Sequence, residues 1–112
     1  MIQTTSAVAL SDMTITRANH IAKKTGSLEV GIEKALLIEQ LKAKLASGVA
    51  HFIFQKKDGS LREMYATTFR PLIDKHIVGT GVSRERYGTT AVFCVESGAW
   101  RSFRWESLIK VF

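Results

Sequence analysis

The run Trp100-Arg101-Ser102-Phe103-Arg104-Trp105 alternates aromatic, basic and small side chains. In an extended strand, neighbouring side chains point to opposite faces. Trp100, Ser102 and Arg104 then share one face, and Arg101, Phe103 and Trp105 the other. Phe103 and Trp105 suit a core, which leaves Trp100 with Arg104 outside. An exposed indole beside guanidinium groups is chemistry for single-stranded nucleic acid. A base stacks on the ring for about 1–3 kcal/mol while arginine neutralises phosphate. Two packed tryptophans with solvated arginines would explain the same residues.

A second basic group, Lys56, Lys57 and Arg62, flanks a candidate hairpin, with Tyr65 as a further stacking surface. A third, Arg84 and Arg86 beside Tyr87, lies in a weakly patterned stretch. A curled sheet would bring all three groups to one groove, although charges at turns also serve solubility alone. Gly79-Thr80-Gly81 lacks the Lys-Ser/Thr and following helix of a phosphate loop, and is expected to be a turn or hinge. His20, His51 and His76 fall on different elements without metal-ligand spacing, and Cys94 reads as a small buried hydrophobe. Glu63, Asp74, Glu85 and Glu96 form no recognisable carboxylate pair. No catalytic residue, metal or cofactor is expected.

The elements that must hold these residues follow from periodicity. An arm covers the first fifteen residues. Thr16 is expected to cap a short helix that Gly26 stops, and Ser27 to cap a second helix that Gly48 ends. Leu28, Ile32, Ala35, Leu36, Ile38, Leu41 and Leu45 carry its three- and four-residue spacing; Leu37 widens the stripe, and Gly31 weakens the first turn. After Gly48 the period falls to two. Val49–Lys56 is a strand with Phe52 and Phe54 on one face, Asp58-Gly59 a type I′ hairpin turn, and Leu61–Thr67 the returning strand. Thr89–Glu96 and Ala99–Trp105 add two more strands, followed by a helical turn at Glu106–Ile109 and a last short strand at Val111-Phe112. A sheet this small hides its edges best by curling into a barrel.

Composition sets the outer bounds. The 112 residues are 46% hydrophobic and 23% charged, ordinary values for one globular domain. A net charge of +6, from 16 Lys+Arg against 10 Asp+Glu, favours an anionic partner. The single cysteine excludes an internal disulfide. No apolar run reaches the length of a membrane span, and Met1–Leu10 lacks the basic start of a signal peptide. A cytoplasmic protein without a membrane partner is expected.

Three separated segments, HFIFQKKDGSLREMYATT from His51 to Thr68, Gly79-Thr80-Gly81, and VFCVESGAWRSFRWESLI from Val92 to Ile109, carry a resemblance. In that order they resemble the small WYL-type, Sm-like SH3 β-barrel proteins of bacterial and phage genomes. The resemblance covers about the last 60 residues, by the extent of those segments. It implies an SH3-like barrel, and a link to nucleic-acid or nucleotide ligands through a late strand similar to Arg101, Phe103 and Arg104. The Trp-Tyr-Leu tripeptide is absent, with Val92-Phe93-Cys94 in its neighbourhood, and no winged helix-turn-helix precedes the barrel.

The resulting expectation is an α+β chain: an arm and helical pair over 1–48, then an SH3-like antiparallel barrel of four to five strands over 49–112. Its function is expected to be non-enzymatic nucleic-acid binding, single strands favoured, through Lys56, Lys57, Arg62, Tyr65, Arg84, Arg86, Trp100, Arg101 and Arg104. The alternative is a phage or mobile-element protein that blocks a host or defence protein, placing it in the host cytoplasm. A nucleotide-ligand module is a further alternative. The helix over 28–47 offers a homodimer contact.

Overall fold

Ser11, not Thr16, opens the first helix in the computed structural model, which describes residues 11–73 and 88–112. Helix α1 (Asp12–Thr25) begins where the Ser11 hydroxyl accepts the Thr14 amide at 3.1 Å. Thr16 sits inside the first turns, and its hydroxyl donates back to the Asp12 carbonyl at 2.9 Å, a local bond that competes with capping. Gly26 ends α1 in the left-handed region at φ 78°, and its amide bonds the Ala22 carbonyl at 2.8 Å. Ser27 caps helix α2 (Leu28–Ser47) through the Val30 amide.

Gly31 lies within α2 and is buried where α1 packs across it. A Cβ at this position would run into the Ala18 carbonyl and crowd Ala22. The helix-propensity cost of about 1 kcal/mol is therefore exchanged for close helix contact. At the other end, α2 stops before Gly48 without a left-handed cap. Its last carbonyls are taken by the next strand pair instead. The Thr68 amide bonds the Leu45 carbonyl at 3.0 Å, and the Thr67 hydroxyl bonds that of Gly48 at 2.7 Å.

Strands β1 (Ala50–Gln55), β2 (Leu61–Thr67), β3 (Thr89–Cys94), β4 (Ala99–Arg104) and β5 (Leu108–Val111) form one antiparallel sheet in the order β4-β3-β2-β1-β5. A short helical turn, α3 (Arg70–Ile73), follows β2, and a 3-10 turn at Trp105–Ser107 joins β4 to β5. The β1–β2 connection is not the expected two-residue type I′ turn. Gly59 donates to the Lys56 carbonyl at 3.0 Å and Lys56 to the Ser60 carbonyl at 2.8 Å, which makes Lys57-Asp58-Gly59 a three-residue loop. Gly59, at φ 90°, supplies the left-handed position that closes such a loop. Strand β3 ends at Cys94 because the Gly98 amide turns back to the Cys94 carbonyl at 2.9 Å. Strand β5 starts at Leu108, three residues before the expected one, and pairs with β1 across a register shift at Ile53/Phe54.

The sheet rolls. Phe103 of edge strand β4 lies 5.4 Å from the Phe52 ring and 6.0 Å from the Phe54 ring, although β4 and β1 share no ladder. Ile21, Ile38, Leu41 and Leu45 close the core from the helical side against Phe52, Met64, Val92, Phe103 and Leu108. Each such side chain contributes roughly 1.5–3 kcal/mol on burial. Trp105 fastens α1 to the barrel. Its indole donates to the Thr90 hydroxyl at 2.9 Å, His20 meets its ring edge-on at 5.2 Å, and the Arg17 guanidinium stands 5.7 Å from the ring centre.

Candidate nucleic-acid interface

Two local devices aim the basic residues of the hairpin. The tight Lys57-Asp58-Gly59 loop projects Lys56 and Lys57 from the end of β1, both exposed. The Asp58 carboxylate is engaged within the loop, accepting the Ser60 amide at 2.9 Å and its hydroxyl at 2.6 Å. Those bonds hold the Asp58 carboxyl below its ordinary pKa. The lysines thus flank an acid that is already occupied.

Rolling the sheet carries the last residues of β4 to this hairpin. Lys56, Lys57 and Arg104 line one open groove of about 470 Å³, with Phe54 and Phe103 as its apolar part and Thr89, Ser102 and Ser107 as hydroxyl groups. Phe54 is half-buried, so part of its ring faces the groove. The Glu106 carboxylate stands nearby: Oε2 lies 3.9 Å from the Arg104 guanidinium, and Oε1 is buried without a hydrogen-bond partner. On the far side of the same segment, Lys34 Nζ donates to the Glu106 carbonyl at 2.6 Å; burial lowers the Lys34 pKa, and the Glu106 charge opposes that shift. Chemically the groove offers cations for phosphate, hydroxyls for sugar or phosphate oxygens, and an aromatic edge.

The other expected contact residues lie elsewhere. Arg62, on β2 opposite Phe54, is half-buried and does not line the groove. Arg101 is exposed on β4 opposite Val92. Trp100 is half-buried, edge-on to Phe93 at 5.9 Å, and its indole nitrogen is buried without a hydrogen-bond partner. It shares a sheet face with Arg104 but sits roughly 13 Å away along the strand. Tyr65 belongs to a separate outer-face stack, 4.2 Å from the His51 ring, which itself lies 4.1 Å from Phe112. His51 Nε2 also lies 2.8 Å from Glu63 Oε2 but is not aligned with it as a hydrogen bond. Arg84, Arg86 and Tyr87 lie outside the described residues, as do Gly79-Thr80-Gly81, His76, Asp74 and Glu85.

Sequence reasoning passed over Phe54 and the hydroxyls of Thr89, Ser102 and Ser107 as groove residues. The one available signal was Phe54, an aromatic at the strand end nearest the lysines. Cys94 is buried, as read from its neighbours. Burial would raise its thiol pKa, but hydrogen bonds with Ser97 and the Glu96 backbone outweigh that and lower it. Among the described residues, no three His, Cys, Asp or Glu side chains gather as a metal site, and no helix is long and apolar enough to cross a membrane.

Comparison with known proteins adds two findings. The family model WYL_2, with a Sm-like SH3 β-barrel fold, matches residues 38–109, a span that begins inside α2. Over 82 residues, 70% of this chain and 80% of the relative, the sequence is 37% identical to the "Uncharacterized 11.5 kDa protein in Gp31-cd intergenic region" of Enterobacteria phage T4. No solved structure gives a significant match.

Proposed function

The chain belongs to the WYL_2 family of Sm-like SH3 β-barrel proteins, and we propose that it is a non-enzymatic module that binds nucleic acid, single strands preferentially, in the groove between the β1–β2 hairpin and the end of β4. The observation that carries this reading is the convergence of Lys56, Lys57 and Arg104 on one open groove beside the half-buried Phe54 ring. Three cations spaced along a groove suit successive phosphates. The ring edge suits a base or sugar that a duplex would keep out of reach. Hydroxyls between the cations fit sequence-tolerant contacts to the backbone.

The test is fluorescence anisotropy of the full chain with labelled single-stranded DNA, single-stranded RNA and duplex DNA over a range of salt. Three phosphate contacts on a single strand give a log–log salt slope near about −2. The triple substitution Lys56→Ala, Lys57→Ala, Arg104→Ala is expected to abolish that slope while the far-ultraviolet circular dichroism stays unchanged. Mononucleotides and cyclic nucleotides added as competitors test the nucleotide-ligand alternative. Absence of binding near 50 mM salt would overturn the proposal.

A second reading has its own observation. The outer sheet face exposes Leu61, Tyr65 and Phe112, the last two within the Tyr65–His51–Phe112 stack. Such a face suits a protein partner in the host cytoplasm, in keeping with similarity to a phage protein. This reading requires a host-protein complex that survives nuclease treatment and is lost on Tyr65→Ala.

A further inference from the structure

Helix α2 is apolar on more than its core side. The core side of α2 carries Ala35, Ile38, Leu41 and Leu45, all buried. Packing on the barrel and on α1 accounts for that stripe and for buried Gly31. Yet Leu28, Ile32 and Leu36 repeat at four-residue spacing on another side of α2, with relative exposures of 59%, 38% and 42%. On α1, the buried residues are Thr14, Arg17, Ala18 and Ile21. At 100° per residue Asn19 and Lys23 fall opposite these, and Ile15 falls on the flank beside Thr14 and Ala18; the three are again four apart and all exposed. The two outward stripes lie side by side on the pair, away from the barrel.

Contacts within the pair fix its register. The Thr14 hydroxyl donates to Glu39 Oε2 at 2.9 Å, Gly31 lies against Ala18 and Ala22, and the chain reverses at Gly26. Counting along both helices from these points sets Lys23 within a residue of the level of Glu29. Glu29 and Glu33 are exposed on the outer flank of the α2 stripe. The outward face therefore has an apolar middle, an acidic flank on α2 and Lys23 on the α1 flank at the same height.

We propose that this face docks a second copy of the chain. The two-fold axis runs parallel to the helices, so α1 of each copy lies antiparallel over α2 of the other and the two pairs form a four-helix bundle. Ile15, Ile32 and Leu36 of both copies meet at the centre, and Lys23 faces the partner's Glu29 in both directions. The alternative two-fold, with its axis across the helices, pairs α2 with α2 and sets Glu29 and Glu33 against the same acids of the partner. Like charges disfavour it. The face is about 25 Å by 20 Å, roughly 500 Å² per copy, below the usual 800 Å² of a tight complex, so the dimer belongs to the weak, micromolar class. None of the groove residues lies on these helices, and the proposal does not depend on nucleic-acid binding.

Sedimentation velocity of the full chain across roughly 5–300 μM tests it, a range set by that weak class. The weight-average mass is expected to climb from 12.5 kDa towards twice that value. Ile32→Glu is expected to remain monomeric throughout, with circular dichroism showing that the fold persists. Because that substitution also touches packing, the charges supply a second arm. Lys23→Glu alone and Glu29→Lys alone should each weaken dimerisation several-fold, and the two together should restore it. A wild-type chain that stays monomeric at the highest concentration overturns the proposal. So does a double charge exchange that dimerises no better than either single one.

Discussion

The indole N–H of Trp105 and the hydroxyl of Thr90 form a buried hydrogen bond of 2.9 Å between the 3-10 turn and β3. Trp105 is also the surface on which α1 rests, through His20 and Arg17. One bond therefore supports both the end of the barrel and the docking of the first helix. Thr90→Val keeps the side-chain shape and removes the acceptor, leaving a buried donor unsatisfied. The expected loss is about 1–3 kcal/mol, read as a lower urea midpoint with unchanged denaturant dependence.

Gly31 gives a prediction that runs against helix propensity. In an isolated helix, alanine would stabilise this position by about 1 kcal/mol. Here the added methyl meets the Ala18 carbonyl, which is backbone and cannot swing aside. Gly31→Ala is expected to lower the melting temperature through a net cost of about 1–2 kcal/mol. A higher melting temperature would show that α1 and α2 can separate freely.

Arg101 and Arg104 separate the groove from general basicity. Both lie on β4 and carry the same charge, but only Arg104 lines the groove. Arg104→Ala is expected to weaken single-strand binding several-fold and reduce the salt slope by about 0.7. Arg101→Ala should change affinity much less under the same titration. Equal effects would mean that bulk charge, not this groove, does the binding.

Asp58 predicts an acid-sensitive hairpin. Its carboxyl pKa is lowered, first by the Ser60 side chain and then by the Ser60 amide. The folded state therefore binds this proton less readily than the unfolded chain. The contribution is complete above the unfolded carboxyl value of about 3.9 and is lost as pH falls through the lower folded value. An NMR titration of the Ser60 amide should show a midpoint below that of an ordinary aspartate. A midpoint at or above it would remove the loop bonds from the account.

Much of the fold was legible because its signals are local. Gly26-Ser27 marks a helix stop and a helix start, the change of period after Gly48 marks the passage from helix to strand, and alternation assigns Phe52, Phe103 and Trp105 to the interior. Local signals were weaker at the edges. Ser11 and Thr16 are both good caps; the Ser11 hydroxyl takes the Thr14 amide, and Thr16 lies inside the helix that this opens. Asp58-Gly59 suits either a two-residue or a three-residue loop, and the register of Gln55 with Leu61 decides for the longer.

The candidate site was legible only as a set of residue types. The sequence by itself determined that lysines flank a hairpin and that arginines alternate with aromatics on a late strand. It could not say which of them meet, because every strand has two faces and a sheet can roll either tightly or loosely. Packing of Phe103 on Phe52 and Phe54 brings β4 back to β1, joining Arg104 to Lys56 and Lys57. The same rolling leaves Arg62 and Arg101 outside the groove, Trp100 against Phe93 and Tyr65 on the outer stack. Tertiary structure alone decided that partition, since it depends on contacts between strands far apart in the chain that no local period encodes.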